Sequence, residues 1–96
     1  MSDHPAQDLV TDNQARHRFE LTVDGETAFA LYRREPGHIA ITYVEAPVAL
    51  RGTGAAGRLM QGVVDQARAE GVKVTPICGY AVAWMKRHPE YGDLLA

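Results

Sequence analysis

The stretch Leu50-Arg51-Gly52-Thr53-Gly54-Ala55-Ala56-Gly57-Arg58-Leu59-Met60 decides how this chain folds, because it places three glycines and two alanines directly before a long amphipathic segment. Small residues let other groups approach the backbone closely, and the N–H groups at the start of a helix carry the positive end of the macrodipole. An anion, commonly a phosphate, is the natural ligand of such a loop. Tight turning or close helix packing is the alternative explanation for this composition.

The segment after the loop has the periodicity of a helix of about 17 residues. Thr53 is the predicted N-cap, and Gly71 stands where a left-handed C-cap is expected. Val72–Ile77 then predicts a short buried strand and Tyr80–Arg87 a last short helix. A strand, a helix and a strand in this order form a right-handed crossover between parallel strands. The helix buries an apolar stripe made by Ala56, Leu59, Met60, Val63, Val64 and Ala67.

Three strands are predicted ahead of the loop. Arg18–Val23 alternates apolar and polar residues, and the hairpin signal Asp24-Gly25 follows it. Thr27–Arg34 is the second strand, a turn at residues 35–37 closes it, and His38–Val44 is the third. The sequence therefore predicts an α/β (α+β) fold, in which a three-stranded antiparallel meander precedes the crossover to a parallel fourth strand and a C-terminal helix.

The residues before this region predict no structure. Met1 to Arg16 is polar, contains a proline and has no period, so we expect a disordered tail. Residues 17–96 are then a single domain, since a chain of 96 residues buries one core and not two.

Composition and charge exclude several classes of function. The formal net charge of −2 lacks the basic excess of a nucleic-acid binder, and no apolar run is long enough to span a membrane. The polar, acidic N-terminus has no hydrophobic region of a secretory signal, and the single cysteine, Cys78, forms no disulfide within the chain. We expect a cytoplasmic protein. No set of His, Cys, Asp and Glu has metal-ligand spacing, so no metal site is predicted.

Two motifs resemble a known family. Arg51-Gly52-Thr53-Gly54-Ala55-Ala56 matches the Arg/Gln-x-x-Gly-x-Gly/Ala signature of the GNAT N-acetyltransferase superfamily, at the expected junction of strand and helix. The tail Pro76-x-Cys78-x-Tyr80-x-x-x-Trp84-x-x-x-His88-Pro89-x-Tyr91 is similar to the small single-domain GNAT-like family. The resemblance covers about Arg18 to Leu94.

The resemblance implies a site for acetyl-CoA. Backbone N–H groups of the loop would hold the pyrophosphate, and the end of the third strand would hydrogen-bond the pantetheine arm. In the superfamily this strand carries a bulge and parts from its parallel neighbour, and Pro47 is compatible with such a break. Arg51 adds a charge at the rim, or else forms a surface salt bridge. The implied cofactor-binding residues are Val44, Glu45, Ala46, Arg51, Gly52, Thr53, Gly54, Ala55, Ala56, Gly57 and Cys78.

Three residues are candidates for catalysis. Cys78 lies between a predicted strand and a predicted helix, where the macrodipole favours a thiolate. It is either a nucleophile, a spectator in the thioester pocket or a small buried hydrophobe. By the resemblance, Tyr80 protonates the departing thiolate and Glu45 is the general base; the alternatives are a core aromatic and a solvated carboxylate. Many relatives carry a histidine two positions before that acid, where this chain has Tyr43.

The implied reaction is acyl transfer from acetyl-CoA to an amine. Compared with the full superfamily, the chain lacks an early helical pair and a final hairpin, which commonly wall the acceptor site. We therefore expect an open site and a bulky acceptor, such as a protein amine, on a monomer or weak dimer. The alternatives are a non-catalytic acyl-CoA-binding or interaction module, and a domain that binds another phosphate-bearing ligand through the same loop.

Overall fold

Five strands lie side by side in chain order in one sheet of the computed structural model, which describes residues 9–96. The first four strands are antiparallel to their neighbours, and the last pairs parallel to the fourth. This arrangement confirms the predicted α/β class and the parallel crossover. The strands are β1 Val10–Asn13, β2 Arg18–Val23, β3 Glu26–Glu35, β4 His38–Glu45 and β5 Lys73–Pro76.

The sheet begins earlier than the sequence predicted. β1 pairs with β2 from Val10 opposite Leu21 to Asn13 opposite Arg18, and a 3₁₀ turn at Gln14–Arg16 joins the two strands. The prediction of a disordered tail is therefore wrong for residues 10–16; Leu9 is exposed and in no strand or helix, and residues 1–8 lie outside the described residues. The antiparallel part has four strands rather than three. β1 was missed because its sequence, VTDN, contains one apolar residue and therefore shows no alternation.

The two predicted hairpins are confirmed. Asp24 and Gly25 both have positive φ, 51° and 81°, as a two-residue turn matched to the strand twist requires. At the second turn the residue with positive φ is Gly37, again 81°. β3 and β4 each run slightly further than the sequence suggested.

The predicted crossover helix, α1, spans Ala55–Glu70, and Gly71 ends it in the left-handed conformation as expected. Its N-cap is Gly54, with φ 85°, rather than the predicted Thr53. Thr53 still contributes to the helix start, because its Oγ1 accepts a hydrogen bond of 3.3 Å from the Ala55 N–H. The second helix, α2, spans Gly79–Arg87, and a 3₁₀ segment at Pro89–Leu94 follows it.

Both helices cover the same face of the sheet. α1 and α2 bury their apolar residues in one core with the inward side chains of the strands. Neither α1 nor α2 packs on the opposite face, which we call the helix-free face; near the end of β4 it presents Arg18, Glu20, Phe29, Leu31, Tyr43 and Glu45. The core strand residues are Phe19, Leu21, Ala28, Ala30, Tyr32, Ile39, Ile41 and Val74.

Within residues 9–96, none of the helices has both the length and the apolar character that crossing a membrane requires.

Candidate functional site

The site begins where β4 parts from β5. Leu31 pairs with Tyr43 but Tyr32 pairs with Ile41, so Thr42 is an extra residue that makes a bulge in β4. Pairing with β5 stops at Ile41, whose carbonyl oxygen accepts hydrogen bonds from the N–H groups of both Ile77 and Cys78, at 2.9 and 3.2 Å. Beyond this point β4 is paired with β3 alone, which leaves its other edge open.

The glycine loop lies at the start of α1. Gly52 and Gly54 have φ of 78° and 85°, a conformation that residues with a Cβ adopt only with strain. The first hydrogen bond of the helix runs from the Arg58 N–H to the Gly54 carbonyl at 3.0 Å. The N–H groups of Ala56 and Gly57 therefore have no acceptor within the helix, as in the first turn of any α-helix. Such N–H groups suit a phosphate.

A cavity of about 260 Å³ joins this loop to the open end of β4. Arg51 fixes the loop there, because its Nε donates a hydrogen bond of 3.2 Å to the carbonyl oxygen of Ala46. The structure thus brings together most of the residues predicted to bind a cofactor, and adds Leu50, which the sequence did not single out. The cavity is lined by Ala46, Leu50, Arg51, Gly52, Gly54, Ala55, Ala56, Gly57 and Tyr80.

A second cavity, of about 340 Å³, is a groove between α1 and α2. The helices approach closely at Gly57, where an added Cβ would lie 3.6 Å from Trp84 Nε1 and 3.8 Å from Tyr80 Oη. The sequence did not predict that Arg58 and Arg87 line this groove, since only the packing of the two helices brings these two cations together. The groove is lined by Gly54, Gly57, Arg58, Gln61, Tyr80, Trp84, Arg87 and His88.

Tyr80 lies between the glycine loop and the groove of the two helices. It lines both cavities, and its side chain lies beside the first turn of α1. The residue is 36% exposed, whereas Trp84 is 2% exposed. Trp84 stacks with His88 and Tyr91, at ring-centroid distances of 3.9 and 5.8 Å. Tyr80 is therefore at the rim of the site and is not the buried core aromatic of the alternative interpretation.

Cys78 is the N-cap of α2. Its Sγ accepts a hydrogen bond of 3.4 Å from the Ala81 N–H, and the half-buried side chain packs against the core. Neither of the two cavities is lined by Cys78. The structure therefore gives this sulfur a capping contact that the sequence did not suggest, at the point where β5 leaves β4.

Val44 and Glu45 point to opposite faces of the sheet. Val44 packs against the core under the helices, whereas Glu45 pairs with Phe29 on the helix-free face. There its Oε1 accepts a hydrogen bond of 2.5 Å from the Tyr43 hydroxyl. The predicted base and the glycine loop thus approach the end of β4 from the two sides of the sheet.

A third cavity, of about 750 Å³, lies away from the loop and is lined by Gln14, His17, Tyr32, Arg33, Arg34 and Thr42. Two of its residues, Arg33 and Arg34, form salt bridges, Arg33 with Glu35 and Arg34 with Asp12 and Glu70. Its charges are thus already balanced, and none of the sequence-predicted site residues lines it. Among residues 9–96 no three His, Cys, Asp or Glu side chains are grouped as metal ligands would be.

A bulged strand that parts from its parallel neighbour beside a glycine loop is the arrangement implied by the resemblance to N-acetyltransferases. The family model of GCN5-related N-acetyltransferases matches residues 18–94, so the chain belongs to this family. The NMR solution structure of a GCN5-like protein from Staphylococcus aureus has a similar fold, with a TM-score of 0.67 and 20% sequence identity over 92% of this chain and 87% of that one. No curated protein matches the chain significantly.

Proposed function

We propose that this chain is an N-acetyltransferase that moves an acetyl group from acetyl-CoA to an amine. One observation carries the proposal: the open edge of β4 beyond Ile41 ends at the same cavity as the glycine loop. An open strand edge offers hydrogen bonds to an amide-containing arm, and the helix N-terminus offers them to phosphate oxygens. Acetyl-CoA contains both kinds of group.

The residues present fit this ligand. N–H groups of Gly52–Gly57 are the proposed donors to the pyrophosphate, and the edge Val44–Ala46 is the proposed partner of the pantetheine amides. Arg58 and Arg87 line the groove beyond Gly57, where further phosphate charge is accommodated. When bound, acetyl-CoA supplies the reactive thioester.

Glu45 and Tyr80 are the proposed base and acid. Glu45 takes a proton from the acceptor ammonium, directly or through one water, so that the nitrogen gains a free electron pair. The new C–N bond forms as the C–S bond of the thioester breaks. Tyr80 donates its phenolic proton to the departing thiolate, and the second N–H proton, which the nitrogen loses on becoming an amide, passes through water to the tyrosinate and restores the phenol. The positions of Glu45 on the helix-free face and Tyr80 beside α1 support an approach of the two substrates from opposite sides of the sheet.

The helix-free face also supports the proposal of a bulky acceptor. No helix of the described chain covers Phe29, Leu31 or Tyr43, and Tyr43 is 47% exposed. A lysine side chain on a protein surface therefore reaches Glu45 without entering an enclosed pocket. A cytoplasmic location, where acetyl-CoA is made and used, remains part of the proposal.

Calorimetry with acetyl-CoA, followed by an amine screen, tests this proposal. We expect saturable binding with one site, weakened by free CoA as competitor more than by ADP. The screen compares a single-lysine peptide with a blocked N-terminus, a lysine-free peptide with a free N-terminus, spermidine and an aromatic amine, and it follows released CoA thiol. Binding without turnover of any amine would favour the non-catalytic acyl-CoA-binding module. Equal competition by ADP would favour a different phosphate-bearing ligand.

A further inference from the structure

Six side chains form two cross-strand rows on the helix-free face. On paired antiparallel strands, opposite residues have their side chains on the same face and within contact distance. Both rows end on β4, next to the opening between β4 and β5. The first row is Arg18, Leu31 and Tyr43, and the second is Glu20, Phe29 and Glu45.

The last residues of the two rows are joined by a hydrogen bond. The Tyr43 hydroxyl donates to Glu45 Oε1 at 2.5 Å, and the Glu45 side chain has no further hydrogen bond within residues 9–96. The hydrogen bond and the negative charge of Glu45 raise the pKa of Tyr43 above its ordinary value. The phenol therefore stays protonated and remains a donor at physiological pH.

The ring of Tyr43 is itself supported from the neighbouring strands. It packs against Phe29, with ring centroids 6.2 Å apart and planes inclined by 51°. The guanidinium of Arg18 lies over Phe29, 4.5 Å from the ring centroid, and its Nε is held by Glu20 at 2.6 Å. These contacts restrict the Tyr43 ring, and with it the direction of its hydroxyl, through packing that extends to β2.

We propose that Tyr43 is a positioning residue that orients the carboxylate of Glu45 toward the acceptor amine; this inference rests on the proposed function. The Tyr43 hydroxyl stays hydrogen-bonded to Oε1 of Glu45 and keeps its own proton. Oε2 then faces the acceptor and takes the proton: an N–H bond of the ammonium breaks and an O–H bond on Oε2 forms. Without Tyr43 the carboxylate rotates freely, and fewer encounters find it in the productive orientation.

Tyr43→Phe is the test, because it removes the hydroxyl and keeps the ring against Phe29. The matched control is Tyr91→Phe, which removes the phenolic hydroxyl that contacts Gln61 Nε2 at 2.5 Å, away from the helix-free face. Acetyl-CoA affinity is measured by calorimetry. kcat and KM are measured across pH with acetyl-CoA and the single-lysine peptide with a blocked N-terminus.

For Tyr43→Phe we expect unchanged acetyl-CoA affinity and a kcat lower by about tenfold, a fraction of what a general base contributes. The KM for the peptide stays at the wild-type value, so the loss appears in kcat alone. A purely structural role for Tyr43 lowers the urea midpoint together with kcat, whereas a positioning role leaves that midpoint unchanged. Tyr91→Phe is expected to keep the wild-type kcat.

A second measurement detects the hydrogen-bonded pair of Tyr43 and Glu45 and requires no turnover. Glu45→Gln removes the charge that raises the pKa of Tyr43, so tyrosinate absorbance develops at lower pH in this variant than in the wild type. Identical tyrosine titrations would overturn the proposed pair. Wild-type kcat in Tyr43→Phe, or a kcat loss accompanied by a lower urea midpoint, would overturn the positioning role alone. If the wild type bound no acetyl-CoA, the proposed function would fail and this role with it.

Discussion

The N–H of Cys78 donates a hydrogen bond of 3.2 Å to the carbonyl oxygen of Ile41, at the point where β4 and β5 part. The Ile41 carbonyl also accepts a hydrogen bond from the N–H of Ile77. It is the last carbonyl of β4 that is hydrogen-bonded to β5 or to the two residues after it. The Thr42 bulge follows immediately and turns the rest of β4 away. One sheet thus holds two backbone segments together up to Ile41 and leaves an open edge beyond it.

Gly54→Ala tests the conformation of the loop. Gly54 has a φ of 85°, so a Cβ there costs about 1 kcal/mol of stability and tilts the N–H groups of the first turn. We expect a lower urea midpoint and an acetyl-CoA affinity reduced by about tenfold, consistent with losing one charge-assisted hydrogen bond. Gly92→Ala is the control, since Gly92 has no positive φ and a Cβ there meets nothing within 4 Å. Equal affinities of the two variants would contradict this account of the loop.

Gly62→Ala tests how β1 is held on the domain. A Cβ at Gly62 would overlap the side chain of Val10, so β1 must shift away from α1. We expect a loss of about 1–3 kcal/mol on urea unfolding, the usual range for overpacking, and faster amide exchange at residues 10–13. Unchanged exchange in β1 would show that this strand does not pack on α1 as described.

Two variants of Cys78 separate its capping contact from its chemistry. Serine is a strong N-cap and alanine is not, so Cys78→Ser is expected to keep wild-type stability while Cys78→Ala loses about 1 kcal/mol. Direct transfer predicts that Cys78→Ser keeps wild-type turnover, and we expect this result. If the thiol is a nucleophile instead, both variants bind acetyl-CoA and lose turnover, and intact-mass analysis finds an acetyl group on the wild type alone.

Stability should depend on pH through Glu70. A hydrogen bond from Arg34 first, and one from Gln66 second, lowers the pKa of Glu70 in the folded chain. A lowered folded pKa stabilises the fold above the ordinary carboxyl pKa, and this contribution is lost as pH falls through the folded value. Because the ion pair is partly exposed, Glu70→Gln should cost only about 0.5–1 kcal/mol near neutral pH.

The difference in the free energy of unfolding between Glu70→Gln and the wild type should disappear in acid. Urea unfolding at a series of pH values measures this difference. Glu90→Gln is the control, because Glu90 is exposed and forms no ion pair among the described residues. A cost of Glu70→Gln that persisted unchanged in acid would rule out the ion pair as its origin.

The parts of the fold that the sequence predicted are those specified locally. Asp24-Gly25 and the alternation of Arg18–Val23 define a hairpin without help from distant residues. The same is true of α1 and its C-cap Gly71. β1 was missed because its own residues show no alternation: the strand is held by pairing with β2 and by packing into the space left by Gly62, which is distant in the sequence. A glycine inside a helix, here Gly62, is the sequence signal that another part of the chain packs closely against the helix there.

The candidate site was predictable to a similar extent. The loop and the end of β4 were found because the small residues and Pro47 mark them in the sequence. The groove with Arg58 and Arg87 was not found, because those cations lie on different helices and meet only after the helices pack. The contact between Tyr43 and Glu45 follows from local geometry, since residues two apart on a strand share a face, although the Thr42 bulge just before them obscured the period.

A titration of the ¹⁵N-labelled chain with acetyl-CoA, followed by amide chemical shifts, tests the central claim most directly. The account predicts saturable binding, with the largest shifts at Gly52–Gly57 and Val44–Ala46, and smaller shifts near Tyr80. Absence of saturable shifts would contradict it. So would shifts confined to the 750 Å³ cavity around Gln14, His17 and Arg33, with no shifts in the loop.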